Sequence, residues 1–183
     1  IKVGHTGTLD PIATGVLPIC IGKATKLSDE FLSENKVYKV KMLLGVETDT
    51  YDISGKIVFA NTLNEDEIYI KERIKRFIGK SSQIPPIYSA IKIKGKKAYE
   101  YARNGENVSL KPREIEIFNI DDIDVNLRKR QVSFVVSCTK GTYIRSLVHD
   151  IGIKLGCGAT MIELKRLKTG DFVVTDGATV VYE

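Results

Sequence analysis

Residues 37–44 alternate without a break: Tyr38, Val40, Met42 and Leu44 fall on one side of an extended chain, Lys39 and Lys41 on the other. Successive side chains of a strand point to opposite faces of its sheet. The segment therefore predicts a half-buried strand and a sheet that keeps one face polar. Residues 55–60 are expected as its hairpin partner. Further strands are expected at 89–93, 115–125, 131–138 and 161–167. A buried strand is expected at 16–21, fed by the Gly-, Thr- and Pro-rich stretch 4–22.

Helices interrupt these strands. The clearest spans 64–78: Asn64 can cap it, Glu67 completes a capping box, and Glu65 and Asp66 suit the positive N-terminal dipole. Ile70, Ile74, Phe77 and Ile78 form its apolar stripe. A second helix spans 142–155, with Ile144, Leu147, Val148, Ile151 and Leu155 on one face. Short helices are expected at 25–32, with Leu27, Phe31 and Leu32 on one side, and at 98–103, ended by Asn104-Gly105. Strands and helices mix without a regular βαβ beat. The expected class is α+β, a mixed, largely antiparallel sheet flanked by helices.

The chain has 183 residues, 43% hydrophobic and 28% charged, enough for one domain with a proper core. No apolar run approaches the roughly 20 residues of a membrane helix, and no secretory leader is visible. The opening Ile1-Lys2-Val3 lacks a methionine and runs straight into a dense motif, as expected of a fragment cut from a longer protein. Cys20, Cys138 and Cys157 are too few, and odd in number, for a disulfide framework. They read as small buried hydrophobes in a reducing cytosol. His5 and His149 lie far apart with no Cys or His at ligand spacing, which speaks against a zinc site. A net charge of +5 leans towards a polyanionic partner. With no tryptophan, any base-stacking surface has to use Tyr or Phe.

Within Gly4-His5-Thr6-Gly7-Thr8-Leu9-Asp10-Pro11-Ile12-Ala13-Thr14-Gly15, Pro11 biases Asp10 towards extended backbone angles. Asp-Pro often opens a helix, with Asp as the cap. Here Thr14-Gly15 follows within a turn and Leu17-Pro18 soon after, so such a helix would be very short. The alternative is a carboxylate on a rigid, Gly-flanked loop that can approach a substrate closely. His5 reads as an exposed loop residue, a contact to an RNA backbone or a residue occupying space in a stack.

In Lys140-Gly141-Thr142-Tyr143-Ile144-Arg145, Thr142 reads as a helix cap, which puts Arg145 in the first turn, where a cation opposes the dipole. That hints at a fixed carboxylate or phosphate partner, the alternative being an exposed arginine. Tyr38 reads as a core residue whose ring can reach a sheet edge beside a cleft. Gln83-Ile84-Pro85-Pro86-Ile87-Tyr88-Ser89 suits a rigid cleft wall. Lys92, Lys94, Lys96 and Lys97, with Arg103, Lys111 and Arg113 beyond, are either a solvated hairpin tip or phosphate contacts. Arg128-Lys129-Arg130 reads as a polar hairpin turn. Asp49 and Asp52 read as members of a hydrogen-bonded turn over 48–55 rather than a carboxylate pair.

Taken together, these segments resemble the bacterial TruB family of tRNA pseudouridine synthases. The matching stretches are GHTGTLDPIATGVLPICIGKATK at 4–26, YKVKMLLGVETDTYDISG at 38–55, QIPPIYSAIKIKGKKAYEYARNGENV at 83–108 and CTKGTYIRSLVHDIGIKLGCGATMIELKRLKTGDF at 138–172. They follow the family's order and cover more than half the chain. The resemblance implies a pseudouridine-synthase fold with a central RNA-binding cleft. It implies isomerisation of the uridine at position 55 in the T-loop of tRNA, by base flipping and an aspartate-dependent exchange of the glycosidic bond.

Asp10 would be the catalytic aspartate, Arg145 its partner and Tyr38 the residue stacked on the target base. His5 would hold the loop after the base flips, Tyr143 and Leu164 would line the pocket, Lys26 would lie near the RNA and Asp52 in the polar support. The resemblance also implies the T-arm stem-loop as partner, no cofactor or metal, no membrane, no obligate protein partner, and a cytoplasmic monomer. Two readings stand beside it: a guide-RNA-dependent synthase of the box H/ACA kind, and a non-catalytic tRNA-binding or chaperone module. The family's usual N-terminal stretch with its Lys-Pro segment, and its small C-terminal PUA-type domain, are expected to be absent, leaving a catalytic domain over 1–183.

Overall fold

A computed structural model describes residues 1–106 and 108–174 of the chain. Asn107 of the third matching segment, and residues 175–183 of the expected domain, lie outside the described residues. The elements in order are β1 (Val3–His5), β2 (Ala13–Gly15), β3 (Ile19–Ile21), a 3-10 turn (Gly22–Leu27), α1 (Ser28–Leu32), β4 (Lys36–Leu44), β5 (Val46–Thr48), β6 (Ile57–Ala60) and α2 (Glu67–Lys75). They continue with β7 (Gly79–Gln83), β8 (Lys92–Ile93), β9 (Lys96–Lys97), α3 (Ala98–Arg103), β10 (Arg113–Asn126), β11 (Gln131–Cys138), α4 (Ile144–Leu155), β12 (Ala159–Thr169) and β13 (Phe172–Val173).

The main sheet runs β13-β12-β4-β11-β10-β7, antiparallel throughout, with β2 added parallel to β12. This is the expected α+β class. The alternating strand sits at its centre: Val40, Met42 and Leu44 are at most 1% exposed. On the opposite face Lys41 pairs with Glu163 at 2.6 Å. Val132, Phe134 and Val136 of β11, Ile115, Ile117 and Ile120 of β10, and Met161 of β12 extend the apolar face. α4 covers it with Leu147, Val148, Ile151 and Leu155, and α2 with Ile70 and Ile74. All three cysteines are free and buried, as small hydrophobes would be. No helix among the described residues is long and apolar enough to cross a membrane.

Several expected boundaries move, each for a local reason. Residues 55–60 do not pair with β4, whose two edges are taken by β11 and β12. The chain leaves the sheet at Gly45, at φ 84° with Asn61 O only 2.7 Å from where a Cβ would stand, and β6 pairs instead with β5. In α2 the cap is Asp66, whose carboxylate accepts from Tyr69 N at 2.8 Å, and no Asn64–Glu67 box forms. A charged acceptor suits the positive helix end better than an amide. The helix ends at Lys75 because Arg76, Phe77 and Ile78 bond three residues back.

The strand expected at 16–21 shrinks to Ile19–Ile21 with only Cys20 buried, since Pro18 has no N–H for a ladder. The strand expected at 89–93 shrinks to Lys92–Ile93. Ser89 O and Ile91 O accept instead from Tyr99 and Ala98 at the start of α3.

Met42 is wholly buried at the middle of the central strand. Met42→Ala is expected to cost about 2–5 kcal/mol of folding stability, read as a lowered midpoint in urea with an unchanged slope.

Candidate active site

Asp10 lies in the loop between β1 and β2. Its own carbonyl accepts from Ala13 N at 2.8 Å, closing a tight turn over Pro11 and Ile12, after which the chain enters β2. The helix-cap reading of Asp-Pro is therefore not realised. The carboxylate is held from across the fold: Arg145 Nε donates to Oδ2 at 2.9 Å and Nη2 to Oδ1 at 2.8 Å. This fork is the bidentate geometry that only a guanidinium offers.

Arg145 is the second residue of α4, and its side chain is 6% exposed against 24% for Asp10. The cation that opposes the helix dipole has its fixed anion. The expected cap at Thr142 is not made, because that hydroxyl donates to Thr139 O at 2.9 Å. Tyr143 takes the capping position without a side-chain bond.

Arg145 has one further hydrogen-bond acceptor and a second carboxylate nearby. Its Nη1 donates to Thr50 O at 3.3 Å, and its Nε lies 3.8 Å from Asp52 Oδ2. Asp52 is buried within the expected turn, where Oδ1 accepts from Thr50 Oγ1 and Ser54 N, each at 2.9 Å. One buried guanidinium thus faces two carboxylates, one locked in its own turn and one half open to solvent. Hydrogen bonds to charged partners contribute about 1.5–3 kcal/mol each.

Tyr38, Tyr143 and Leu164, expected around the target base, are all at least partly buried. Tyr38, the third residue of β4, is 8% exposed, and burial pushes its phenol up to about 12. The nearby Arg166 guanidinium offsets part of that rise, while the Asp10 carboxylate adds to it. Tyr38 is thus a core tyrosine whose hydroxyl end feels the Asp10 charge. Tyr143 is half-buried with its phenol also raised by burial; Arg113 and Arg145 act against the rise and Asp10 with it. Its backbone is clamped by Gln83, which accepts from Tyr143 N at 2.8 Å and donates to Tyr143 O at 3.1 Å. Ser146 Oγ donates to Ile84 O at 2.8 Å, so the segment expected as a cleft wall docks on the start of α4. Leu164 is buried in β12, opposite Val40 and beside Ala13 of β2.

His5 and Lys26 are both exposed, His5 in β1 and Lys26 in the 3-10 turn, and neither bonds to the Asp10–Arg145 pair. Lys92, Lys94 and Lys96 are exposed on the β8–β9 hairpin. Lys96 lies 5.8 Å from the Tyr101 ring, and Lys97 and Arg103 lie 5.6 and 5.2 Å from the Tyr99 ring. Arg128-Lys129-Arg130 forms the β10–β11 turn as expected. Among the described residues no cluster of His, Cys, Asp and Glu could hold a metal ion.

Two site residues were missed from the sequence. Gln83 was placed in a wall without a role. Arg166 was not singled out; it is 1% exposed and donates through Nε to Val16 O at 2.7 Å and through Nη2 to Gly7 O at 3.2 Å. The usable signal was its spacing of two from Leu164, which puts both side chains on one face of a strand.

Residues 1–144 match the family described as TruB family pseudouridylate synthase (N terminal domain), and residues 145–182 match the tRNA pseudouridylate synthase B C-terminal domain. This chain belongs to the TruB family. The boundary between the two matches falls at the start of α4, so the Asp10–Arg145 pair bridges it. The tRNA pseudouridine synthase B of Clostridium kluyveri is 48% identical over 99% of this chain and 62% of its own length. That of Clostridium tetani is 54% identical over 94% of this chain and 60% of its own. The chain therefore spans about three-fifths of these TruB relatives. Among solved structures, a Cbf5–Nop10–Gar1 complex matches with a TM-score of 0.70 and 34% identity, over 94% of this chain and 42% of the matched one. An H/ACA RNP bound to a substrate RNA containing 2'-deoxyuridine matches with a TM-score of 0.66 and 30% identity, over 94% and 40%.

The TruB pairing is measurable without turnover. In urea unfolding of Asp10→Asn, Arg145→Lys and the double variant, a coupling of about 0.5–3 kcal/mol is expected. Strictly additive losses would mean that the two side chains do not meet in solution.

Proposed function

We propose that this chain isomerises uridine to pseudouridine in the T-loop of tRNA, at position 55, with Asp10 as the catalytic carboxylate. The observation that carries the reading is the Asp10 carboxylate itself, gripped on both oxygens by a buried arginine yet 24% open to solvent. The names of the curated relatives support the same reaction and substrate.

The reaction breaks the N1–C1′ bond of the target nucleoside, turns the base and joins C5 to C1′. The C5 proton is released and N1 gains one, so nothing is oxidised and no group is lost. Such chemistry asks for a charged carboxylate at a fixed place and a surface that keeps the freed base from leaving. Asp10 supplies the first, held by Arg145. Tyr38, Tyr143 and Leu164 supply the second. Flipping the base from its stack costs a few kcal/mol, and stacking on Tyr38 returns about 1–3 kcal/mol. His5 and Lys26 on exposed elements, with the lysines of the β8–β9 hairpin, are assigned to the RNA backbone. The chain acts as a cytoplasmic monomer without an obligate protein partner.

A guide-RNA-dependent reading draws on the H/ACA structures, at 30–34% identity. The 48–54% identity to proteins named tRNA pseudouridine synthase B favours the tRNA reading. Pure protein acting on a T-arm stem-loop without guide RNA separates the two.

The test is tritium release from tRNA labelled at uridine C5. Asp10→Asn is expected to abolish release while tRNA binding stays nearly unchanged. Release at a comparable rate would reject Asp10, and no release from the unaltered chain would reject the reaction.

Affinity for tRNA is expected to fall steeply with salt, at about 0.7–0.9 in log–log slope for each phosphate contact. Replacing Lys92, Lys96 and Lys97 together by Gln is expected to flatten that slope. An unchanged slope would leave the hairpin lysines as solvated charges.

A further inference from the structure

Arg166 has a larger volume than any other side chain that is under 2% exposed, and it makes no ion pair among the described residues. A buried cation without a carboxylate is costly, and the face it occupies is otherwise filled by residues such as Leu164. Its bonds all go to one place. Nε reaches Val16 O at 2.7 Å, Nη2 reaches Gly7 O at 3.2 Å, and the Arg166 carbonyl accepts from Val16 N at 2.9 Å. Gly7 lies near the start of the loop that carries Asp10, and Val16 directly follows β2, the strand into which that loop runs.

The backbone has been shaped to allow this contact. β2 lies parallel along β12 with Gly15 beside Arg166, at φ 104°, and a Cβ there would stand 2.1 Å from Arg166 O. Only glycine lets the loop come so close. On the other side of β12, Arg166 is the ladder partner of Tyr38, and its guanidinium acts on the Tyr38 hydroxyl. One side chain therefore bonds the chain on either side of the Asp10 turn, from a position opposite Tyr38 in the ladder.

We propose that Arg166 is the positioning residue of the site: by clamping the Gly7 and Val16 carbonyls it holds the loop so that the Asp10 carboxylate meets the Arg145 fork. This role in turnover rests on the reaction proposed above, whereas the clamp itself does not. Lysine keeps the charge at Arg166 but cannot span two carbonyls in the same fork. Methionine keeps much of the volume and removes the donors.

The experiment compares the unaltered chain with Arg166→Met, Arg166→Lys and a core control, Phe134→Leu. Three quantities are read: amide hydrogen exchange, the single-turnover rate at saturating tRNA, and the dissociation constant for tRNA. For Arg166→Met, exchange at Thr6 and Ala13 is expected to rise about tenfold over any change in β4 and β11. The single-turnover rate is expected to fall about a hundredfold, as a carboxylate displaced by an ångström loses its geometry. The dissociation constant should stay close to that of the unaltered chain, and Arg166→Lys should fall between the two.

Exchange that rises equally across the whole sheet, or not at all in the loop, would overturn the clamp. So would an Arg166→Met rate no lower than that of Phe134→Leu. If Arg166→Met does not fold, Arg166→Lys carries the same comparison. If the unaltered chain modifies no tRNA, the proposed reaction fails, while loop exchange still decides the clamp.

Discussion

A cation two residues into a helix and sealed from water needs an anion that stays in place, and Arg145 finds one at the other end of the chain. Its fork on Asp10 ties the N-terminal loop to α4 across 135 positions. Thr50 O and Asp52 close the remaining side of the guanidinium. The two carboxylates are not equivalent. Asp52 is buried, with Oδ1 occupied by its own turn. Asp10 has both oxygens on arginine and still faces solvent. The same pairing that ties the fold together therefore leaves the Asp10 carboxylate partly open to solvent.

The loop that carries Asp10 is irregular backbone, and such backbone holds its shape only when its polar groups find partners. Thr6 N donates to Pro18 O, Ala13 N to Asp10 O and Val16 N to Arg166 O. The loop also lends β2 to the rim of the main sheet. Asp10 thereby inherits the rigidity of β12, whose other side pairs with the central strand β4. A reacting group built on a loop but anchored to a sheet can be placed more precisely than the loop alone allows. The facing wall uses the same device in reverse: Gln83, at the end of the edge strand β7, grips the backbone of Tyr143 where α4 begins.

Tyr38 shows how one residue serves two levels of the structure. Its ring continues the apolar face of Val40 and Met42, and burial raises its phenol to about 12. At the same time it lies opposite Arg166 and within the field of Asp10. Tyr38 thus stands where the core meets the Asp10 carboxylate's surroundings.

Much of this was legible in the sequence, because it depends on neighbours in the chain. The alternation at 37–44 determined a strand with one apolar face, and the 3.6-residue spacing of Ile144, Leu147, Val148, Ile151 and Leu155 determined the buried face of α4. The Asp-Thr-Tyr-Asp turn and the β10–β11 turn likewise follow from local residue types. Asp10 and Arg145 could each be marked as anomalies: a carboxylate between glycines and a proline, and a cation against a helix dipole. What the sequence by itself could not decide was partnership. Strand pairing gave β4 to β11 and β12 rather than to the next strand, because pairing depends on which edges remain free once all the strands have assembled. Arg166 reads as one polar residue among Lys165 and Lys168, and only the packing of β2 against β12 turns it inward to Gly7 and Val16. Local periodicity sets which face a side chain takes; whether that face meets water, a carbonyl or a carboxylate is settled by what tertiary folding brings against it.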